Sequence, residues 1–327
     1  LNYQKKSNKF MAVYTRVTKQ ELQKFIESYK IGNLLSFHGI KEGVENTNYL
    51  LKTETGPYIL TIYEKRVRKK DIPFFLLFMK YLFLKKINCP LPIPRRDGKN
   101  LGIIKKKSAA IITFITGKNL SNISPKNCFT LGKVIAKMHL ASRNFKLKRS
   151  NDLSINEWEN ILSACKKKIS PLTFNQLSQE IDFLKNSWPK KLPKGIVHTD
   201  LFPDNVFFKN NRITGFIDFY FSCHDFFAYD LAVCINAWCF EKNGNFNRKK
   251  SQALLKGYSK VRKLQKSELD ALPVLIRGAA LRFLLTRLYD WFRHNKKSLV
   301  KPKNPSEFIK KLKFHQKMED SNIYRAI

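Results

Sequence analysis

Thr18 followed by Glu21 has the spacing of a capping box, and Leu22, Phe25, Ile26 and Tyr29 then recur on one helical face, which predicts a first helix. Shorter runs with β character follow: "LLSFHGI", "TNYLLKTE", and "PYILTIYE" behind the turn at Gly56-Pro57. Each is bounded by Gly, Pro or polar clusters, so they predict an antiparallel sheet. The run "FFLLFMKYLFL" from Phe74 to Leu84 predicts a buried helix stopped by Pro90 and Pro92. At 11 residues, with Lys80 inside it, this run is too short to span a bilayer. "LGIIKKK" and "SAAIITFI" return to the strand pattern, and Gly117 marks a break.

From Ser124 the period changes. Ser124-Pro125 reads as an N-cap with proline at the first helical position, and Leu131, Val134, Ile135 and Met138 recur at helical spacing. Trp158, Ile161, Leu162 and Cys165 predict another helix. Phe174, Leu177, Ile181 and Leu184 predict a third, and "LRFLLTRLYDWF" from Leu281 a late one. The fold class is therefore α+β, with a small sheet-rich lobe over 11–116 and a larger, mainly helical lobe over 117–327. Residues 1–10 lack periodicity and are expected to be a disordered extension or to reflect an upstream start. The Lys/Asn-rich stretch from Asn243 to Lys250 reads as a loop, and no internal repeat is found.

Length and a 43% hydrophobic content permit two lobes with a real core. The 62 Lys+Arg against 25 Asp+Glu leave a formal net charge of +37, which would suit an anionic partner. The lysines are spread along the whole chain, however, and neither a zinc-finger spacing nor an RNA-recognition signature is present. A solvated basic surface, with no nucleic-acid or membrane partner, is the expectation. The cysteines, Cys89, Cys128, Cys165, Cys223, Cys234 and Cys239, form no CxxC pair and no secretory pattern is seen, so a reduced, cytoplasmic protein is expected.

Acidic residues are scarce but not evenly placed. Of twelve Asp, five (Asp200, Asp204, Asp218, Asp225 and Asp230) lie within 31 residues, where even spacing would put about one. In "GIVHTDLFPDNVFFKNNRITGFIDF" a short strand leads to a loop containing Pro203, then a strand, a polar turn and a returning strand that ends at Asp218. A hairpin brings its ends together, so Asp200 and Asn205 are expected to face Asp218. A carboxylate and an amide oxygen converging in this way suit Mg2+, which completes its shell with water and phosphate oxygens. Asp200, not needed for the metal, is then placed to accept the proton of an attacking hydroxyl.

The ordered set "HTDLFPDN" and "GFIDF" resembles the catalytic loop and metal motif of the aminoglycoside phosphotransferase-like kinases, relatives of protein kinases. "GVENTNYLL", "YILTIYEKRV", "DIPFFLLFMKYL" and "DFYFSCHDFFAYDLAVCINAWCFE" are similar to the homoserine kinase family within that superfamily, from about Met11 to Trp291. The resemblance implies a two-lobed protein-kinase-like fold, ATP and Mg2+ as cofactors, and the small alcohol L-homoserine as acceptor. It implies Asp200 and His198 as catalytic residues, Asn205 and Asp218 as metal ligands, and Asp230 as support of the catalytic loop. It also implies that "HGIKEGVENTNY" covers the nucleotide phosphates, through Gly39, Gly43, Asn46 and Asn48, with Glu45 nearby. Ile112 to Gly117 would form the hinge, where the backbone of Phe114, Ile115 and Thr116 reads adenine.

Two features depart from or extend that pattern. Thr61 stands where kinases carry a phosphate-pairing lysine, and Lys65 and Arg66 are the candidate substitutes. Tyr220, Asp225, Trp238 and Arg282 are candidates for the acceptor pocket: Asp225 or Glu241 for an ammonium, Arg282 or Arg287 for a carboxylate. Another acceptor (an aminoglycoside, choline or a hydroxylated amino acid) stays open, as does a non-catalytic basic nucleic-acid-binding protein on the same fold.

Overall fold

The computed structural model describes residues 15–40, 46–64, 67–293 and 302–318, and Tyr324. The expectations for residues 1–10, Gly43, Glu45, Lys65 and Arg66 lie outside the described residues. The described chain divides into two compact units, one of the described residues from 15 to 80 with 90–114, the other of 81–89, 115–293, 302–318 and Tyr324. The division falls between Phe114 and Ile115, inside the expected hinge.

In the first unit, β1 (Leu34–Gly39), β2 (Thr47–Thr53), β3 (Gly56–Ile62), β4 (Gly102–Ile104) and β5 (Lys107–Thr113) form one antiparallel sheet in the order β1-β2-β3-β5-β4. Alternation along the strands sends Tyr49, Leu51, Leu60, Ile62 and Ile111 to one core. Helix α1 (Lys19–Ile26) closes that core with Leu22, Phe25 and Ile26. Its start carries the expected box, with the Thr18 hydroxyl accepting from Glu21 N–H and the Glu21 carboxylate accepting from Thr18 N–H. Asn48, Thr61 and Ala110 lie side by side across β2, β3 and β5, out of phase with those core positions. Helix α2 (Ile72–Leu84) ends earlier than the prolines required: Lys86 turns left-handed at φ 60° and breaks it before Pro90 and Pro92.

The second unit is built on α3 (Pro125–Ser142), α4 (Trp158–Ser163), α5 (Pro171–Ser187), α6 (Phe227–Trp238), α7 (Arg248–Ser259), α8 (Lys266–Arg293) and α9 (Ser306–Gln316). Two short pairs sit among them: β6 (Lys194–Val197) with β9 (Cys223–Phe226), and β7 (Val206–Lys209) with β8 (Arg212–Phe216). The expected hairpin is the second pair, closed by Asn210 and Asn211, both at positive φ as a tight hairpin turn demands. Two elements differ from the sequence reading: β9 was not expected, and α7 begins inside the stretch read as a loop. A further helix, α9, lies near the C-terminus, where no element was read. Phe308 and Leu312 of α9 are buried, and the Lys311 ammonium donates to the Asn236 carbonyl at 2.7 Å. The apolar positions of α9 are few and set among lysines, so low mean hydropathy rather than a missing period hid the helix.

Helices α3 and α7 touch backbone to backbone. A Cβ added at Gly132 would overlap the Leu254 carbonyl, and one at Gly257 the Phe129 carbonyl. Neither obstacle is a side chain that can swing away. Gly257→Ala is therefore expected to cost about 1–3 kcal/mol or more through overpacking, seen as a lowered midpoint in thermal unfolding; an unchanged midpoint would show that the two helices can separate freely.

Candidate active site

The segment 198–205 joins β6 to β7, and nearly every polar group in it is held. Thr199 sits in the left-handed region at φ 62°, a costly place for a β-branched residue. Its N–H donates to Asp230 Oδ1 at 2.7 Å, its hydroxyl to the Phe221 carbonyl at 3.2 Å, and its carbonyl accepts from Arg282 Nη1 at 3.1 Å. The neighbouring His198 N–H donates to Asp230 Oδ2 at 3.0 Å. Asp230 lies in the first turn of α6, fully buried, and also accepts from His139 Nε2 at 3.0 Å. Burial alone would push its carboxyl up, but the hydrogen bonds from His139 and from the His198 N–H outweigh it and hold the carboxyl below its usual value.

His198 is enclosed behind the loop. Its Nδ1 accepts from the Asp200 N–H at 3.3 Å, so Nε2 carries the proton and donates to the Ile217 carbonyl at 3.0 Å. Burial lowers its pKa to about 4, which keeps the ring neutral. His198 thereby ties the Asp200 peptide to the residue preceding Asp218. Asn205 Nδ2 donates to the Asp200 carbonyl at 2.8 Å and to its carboxylate at 3.2 Å. The Ile217 N–H in turn donates to the Asn205 carbonyl at 3.0 Å, and Asp218, at φ 64°, follows at once. Asp200, Asn205 and Asp218 are thus brought together across the hairpin, as the pattern of residues implied.

The Asp200 carboxyl is pushed up to about 7, first by burial and then by the Asp218 charge, against the pull of Arg282 and Lys303. Asp204 faces away and pairs with Lys303 at 2.9 Å on the surface. The donor set suits a small hard cation. Asn205 spends its N–H groups on Asp200, which leaves its amide oxygen for a cation, and Asp218 follows directly on the residue whose N–H bonds the Asn205 carbonyl. No three His, Cys, Asp or Glu side chains converge elsewhere among the described residues to form a dedicated cage. Two protein oxygens with the remaining positions left to water and phosphate is the pattern of Mg2+ sites.

The other candidates are placed as follows. Asp225 on β9 accepts from Asn151 Nδ2 at 2.7 Å and from the Phe226 N–H at 2.7 Å. No ion pair is found for it among the described residues, and burial raises its pKa. Trp238 is fully buried, its indole N–H donating to the Leu201 carbonyl at 2.7 Å. Tyr220 lies in the short turn Phe219–Phe221 that follows Asp218. Glu241 pairs with Lys250, and Arg287 with Glu307. In the first unit, Gly39 ends β1, Asn46 Oδ1 accepts from the Glu64 N–H at 3.3 Å, and Asn48 Oδ1 accepts from the Thr61 hydroxyl at 2.8 Å. Thr61 is buried with that neutral partner. Phe114 is exposed, Ile115 packs on Gly215, and the Thr116 carbonyl accepts from the Thr214 hydroxyl.

Two residues that support the loop had no signal in the sequence. Asn119 Nδ2 donates to the carbonyls of Pro203 at 3.2 Å, Asp204 at 2.9 Å and Val206 at 3.2 Å. His139 passes the hold on Asp230 outward: its Nδ1 meets the Tyr258 hydroxyl at 2.8 Å, which accepts from Arg262 Nη1 at 3.2 Å, and Arg262 forms a two-pronged pair with Glu268.

The buried histidines make stability depend on pH. His198 is held down at about 4 and His315 at about 3, both first by burial, and His139 is lowered as well. Each is depressed below its unfolded value near 6.5, so the stability it contributes is present above that pH and is lost as pH falls towards the folded pKa. Asp200, raised to about 7, and Asp225, also raised by burial, act with the opposite sign over part of this window. The three histidines outnumber them, and a net loss of about 1.4 kcal/mol per pH unit is expected between about pH 6 and 4. Urea unfolding at pH 7 and pH 5 measures it; equal stability at the two values would mean that the histidines are not held neutral.

Residues 36–264 match the model of the phosphotransferase enzyme family (APH). The homoserine kinase of Parvibaculum lavamentivorans is 48% identical over 309 residues, covering 94% of this chain and 96% of the relative. The homoserine kinase of Agrobacterium fabrum is 49% identical with the same coverage. Among solved structures, amicoumacin kinase hAmiN in complex with AMP-PNP, Ca2+ and Ami superposes with a TM-score of 0.72 at 17% identity, covering 94% of this chain and 93% of that one, a likeness of fold. With the sheet-bearing first unit, the helical second unit and the paired loop and hairpin all in place, the chain belongs to the phosphotransferase enzyme family.

Proposed function

We propose that this protein phosphorylates the side-chain hydroxyl of L-homoserine with ATP, giving O-phospho-L-homoserine and ADP, a step of threonine biosynthesis. The observation that carries the acceptor is an identity of 48–49% with homoserine kinases across 94% of the chain. Asp200 accepts the hydroxyl proton while the oxygen attacks the γ-phosphorus in line and the bond to the ADP oxygen breaks. Asn205 and Asp218 hold Mg2+, which when bound neutralises charge on the phosphate oxygens. His198, neutral and enclosed, keeps the Asp200 peptide in place. On the nucleotide side the proposal keeps Gly39, Gly43, Asn46 and Asn48 for the phosphates and the backbone of Phe114, Ile115 and Thr116 for adenine.

Asp225 is the proposed partner of the acceptor ammonium. A half-buried carboxylate whose hydrogen-bond donors are all neutral is stabilised by an arriving cation, which supports that role. Tyr220 borders the same segment, whereas Trp238 supports the loop from beneath through Leu201. A cytoplasmic place of action is part of this proposal; no described helix is long and apolar enough to cross a membrane. The test is ADP release over L-homoserine, L-serine, choline and an aminoglycoside. Saturable turnover with L-homoserine, at a kcat/KM at least about tenfold above the others, is expected. Turnover with another alcohol and none with L-homoserine would overturn the acceptor.

A further inference from the structure

We propose that Arg282 is a positioning residue for the transfer step: from α8 it fixes the peptide between Thr199 and Asp200 and so aims the Asp200 carboxylate. This rests on the reading that Asp200 accepts the hydroxyl proton.

Arg282 is only 3% exposed, yet no ion pair with a carboxylate is found for it among the described residues. A buried guanidinium without such a partner is costly and calls for a reason. Its guanidinium carbon lies over Phe283 at 4.0 Å and near Phe221 at 5.5 Å, two ring contacts that hold the side chain in place. Held in this way, Nη1 donates to the Thr199 carbonyl at 3.1 Å, across 83 residues of sequence. The N–H of the same peptide, that of Asp200, donates to His198 Nδ1 at 3.3 Å. One peptide plane is therefore pinned at both its oxygen and its nitrogen, and the carboxylate that matters branches from the next atom along.

The pinning answers a local need. Thr199 at φ 62° stays in the left-handed region only while its surroundings over-determine it. Asp230 holds its N–H and Phe221 holds its hydroxyl, but neither controls the carbonyl, whose rotation moves Asp200. Arg282 alone among the described residues bonds that carbonyl through a side chain. Without it the peptide is free to rotate, and a displacement of about 1 Å at a reacting group costs on the order of 10²-fold in rate.

The test compares Arg282→Met, which keeps length and stacking but no donor, Arg282→Lys, which keeps one donor, and Thr199→Gly, which relaxes the strained residue. Wild-type turnover of L-homoserine is measured first and judges the acceptor separately; the variants are then read on whichever alcohol the wild type phosphorylates. Arg282→Met is expected to lower kcat about 10²-fold, with KM for ATP and for the alcohol changed less than about threefold. Arg282→Lys should recover at least about tenfold of that loss. Combining Arg282→Met with Thr199→Gly should give less than the product of the two single losses, because both act on one peptide. A raised KM for the alcohol with kcat kept would overturn the proposal and make Arg282 a clamp for the acceptor carboxylate. So would full additivity of the pair, which remains measurable through Arg282→Lys if the methionine variant does not fold.

Discussion

Asp200→Asn lowers kcat by about 10²–10⁴-fold, the range that a positioned proton acceptor supplies, while ATP binding and the fold survive. The amide keeps an oxygen for Asn205 Nδ2, and the backbone bonds of Asp200 to Asn205 and His198 do not involve the side chain. Stability should respond in the opposite direction from activity. The Asp200 carboxyl is raised to about 7, first by burial, so its ionised form penalises the folded state at every pH above its unfolded value. At pH 8 the neutral amide removes that penalty, and the thermal midpoint should stay level or rise. Such a pairing of lost activity with equal or better stability marks a group kept for chemistry rather than for folding. Steady-state kinetics and thermal unfolding of one sample measure both. Retention of turnover within about tenfold of wild type would remove Asp200 from the chemical step, and a lowered midpoint would make its charge a structural asset instead.

Asp230→Ala is expected to damage fold and activity together. Three N–H groups, from His198, Thr199 and His139, end on this one fully buried carboxylate, and alanine leaves all three without an acceptor. Breaking a buried charged network in this way costs about 3–5 kcal/mol, or roughly 5–15 °C in midpoint for a chain of this size. Thr199 loses the bond that holds its N–H, so the loop 198–205 should loosen before the core does. Hydrogen exchange should therefore quicken first in the peptide covering 198–205. The damage should also reach Tyr258, whose hydroxyl meets His139 and whose neighbour Gly257 forms the close contact of α7 with α3. A variant that exchanges and melts like the wild type would show that the loop N–H groups find water in place of Asp230.

The contrast between these two carboxylates shows what can be read from a linear chain. Both were singled out from "HTDLFPDN" and "AYDLAV", but only the tertiary structure separates an aspartate raised by burial from one lowered by its donors. The Thr18 and Ser124 caps and the Asn210-Asn211 turn act over three or four residues, where spacing alone decides the bond. The end of α2 at Lys86 and the strand β9 were less legible, since left-handed termination and pairing with β6 depend on partners, not on propensity. For α7 and α9, lysine-rich sequence hid the few buried positions that hold each helix in place.

By itself the sequence determined most of the elements and grouped the proposed catalytic set, because His198, Asp200, Asn205 and Asp218 lie within 21 residues and a hairpin brings such neighbours together by geometry alone. Only the tertiary structure decided what holds that set in position. Arg282, His139 and Asn119 meet the loop or its support across 83, 91 and up to 87 residues. Hydrogen bonds of that reach form after the units have packed, when burial removes water as a competing partner, and no local pattern records them.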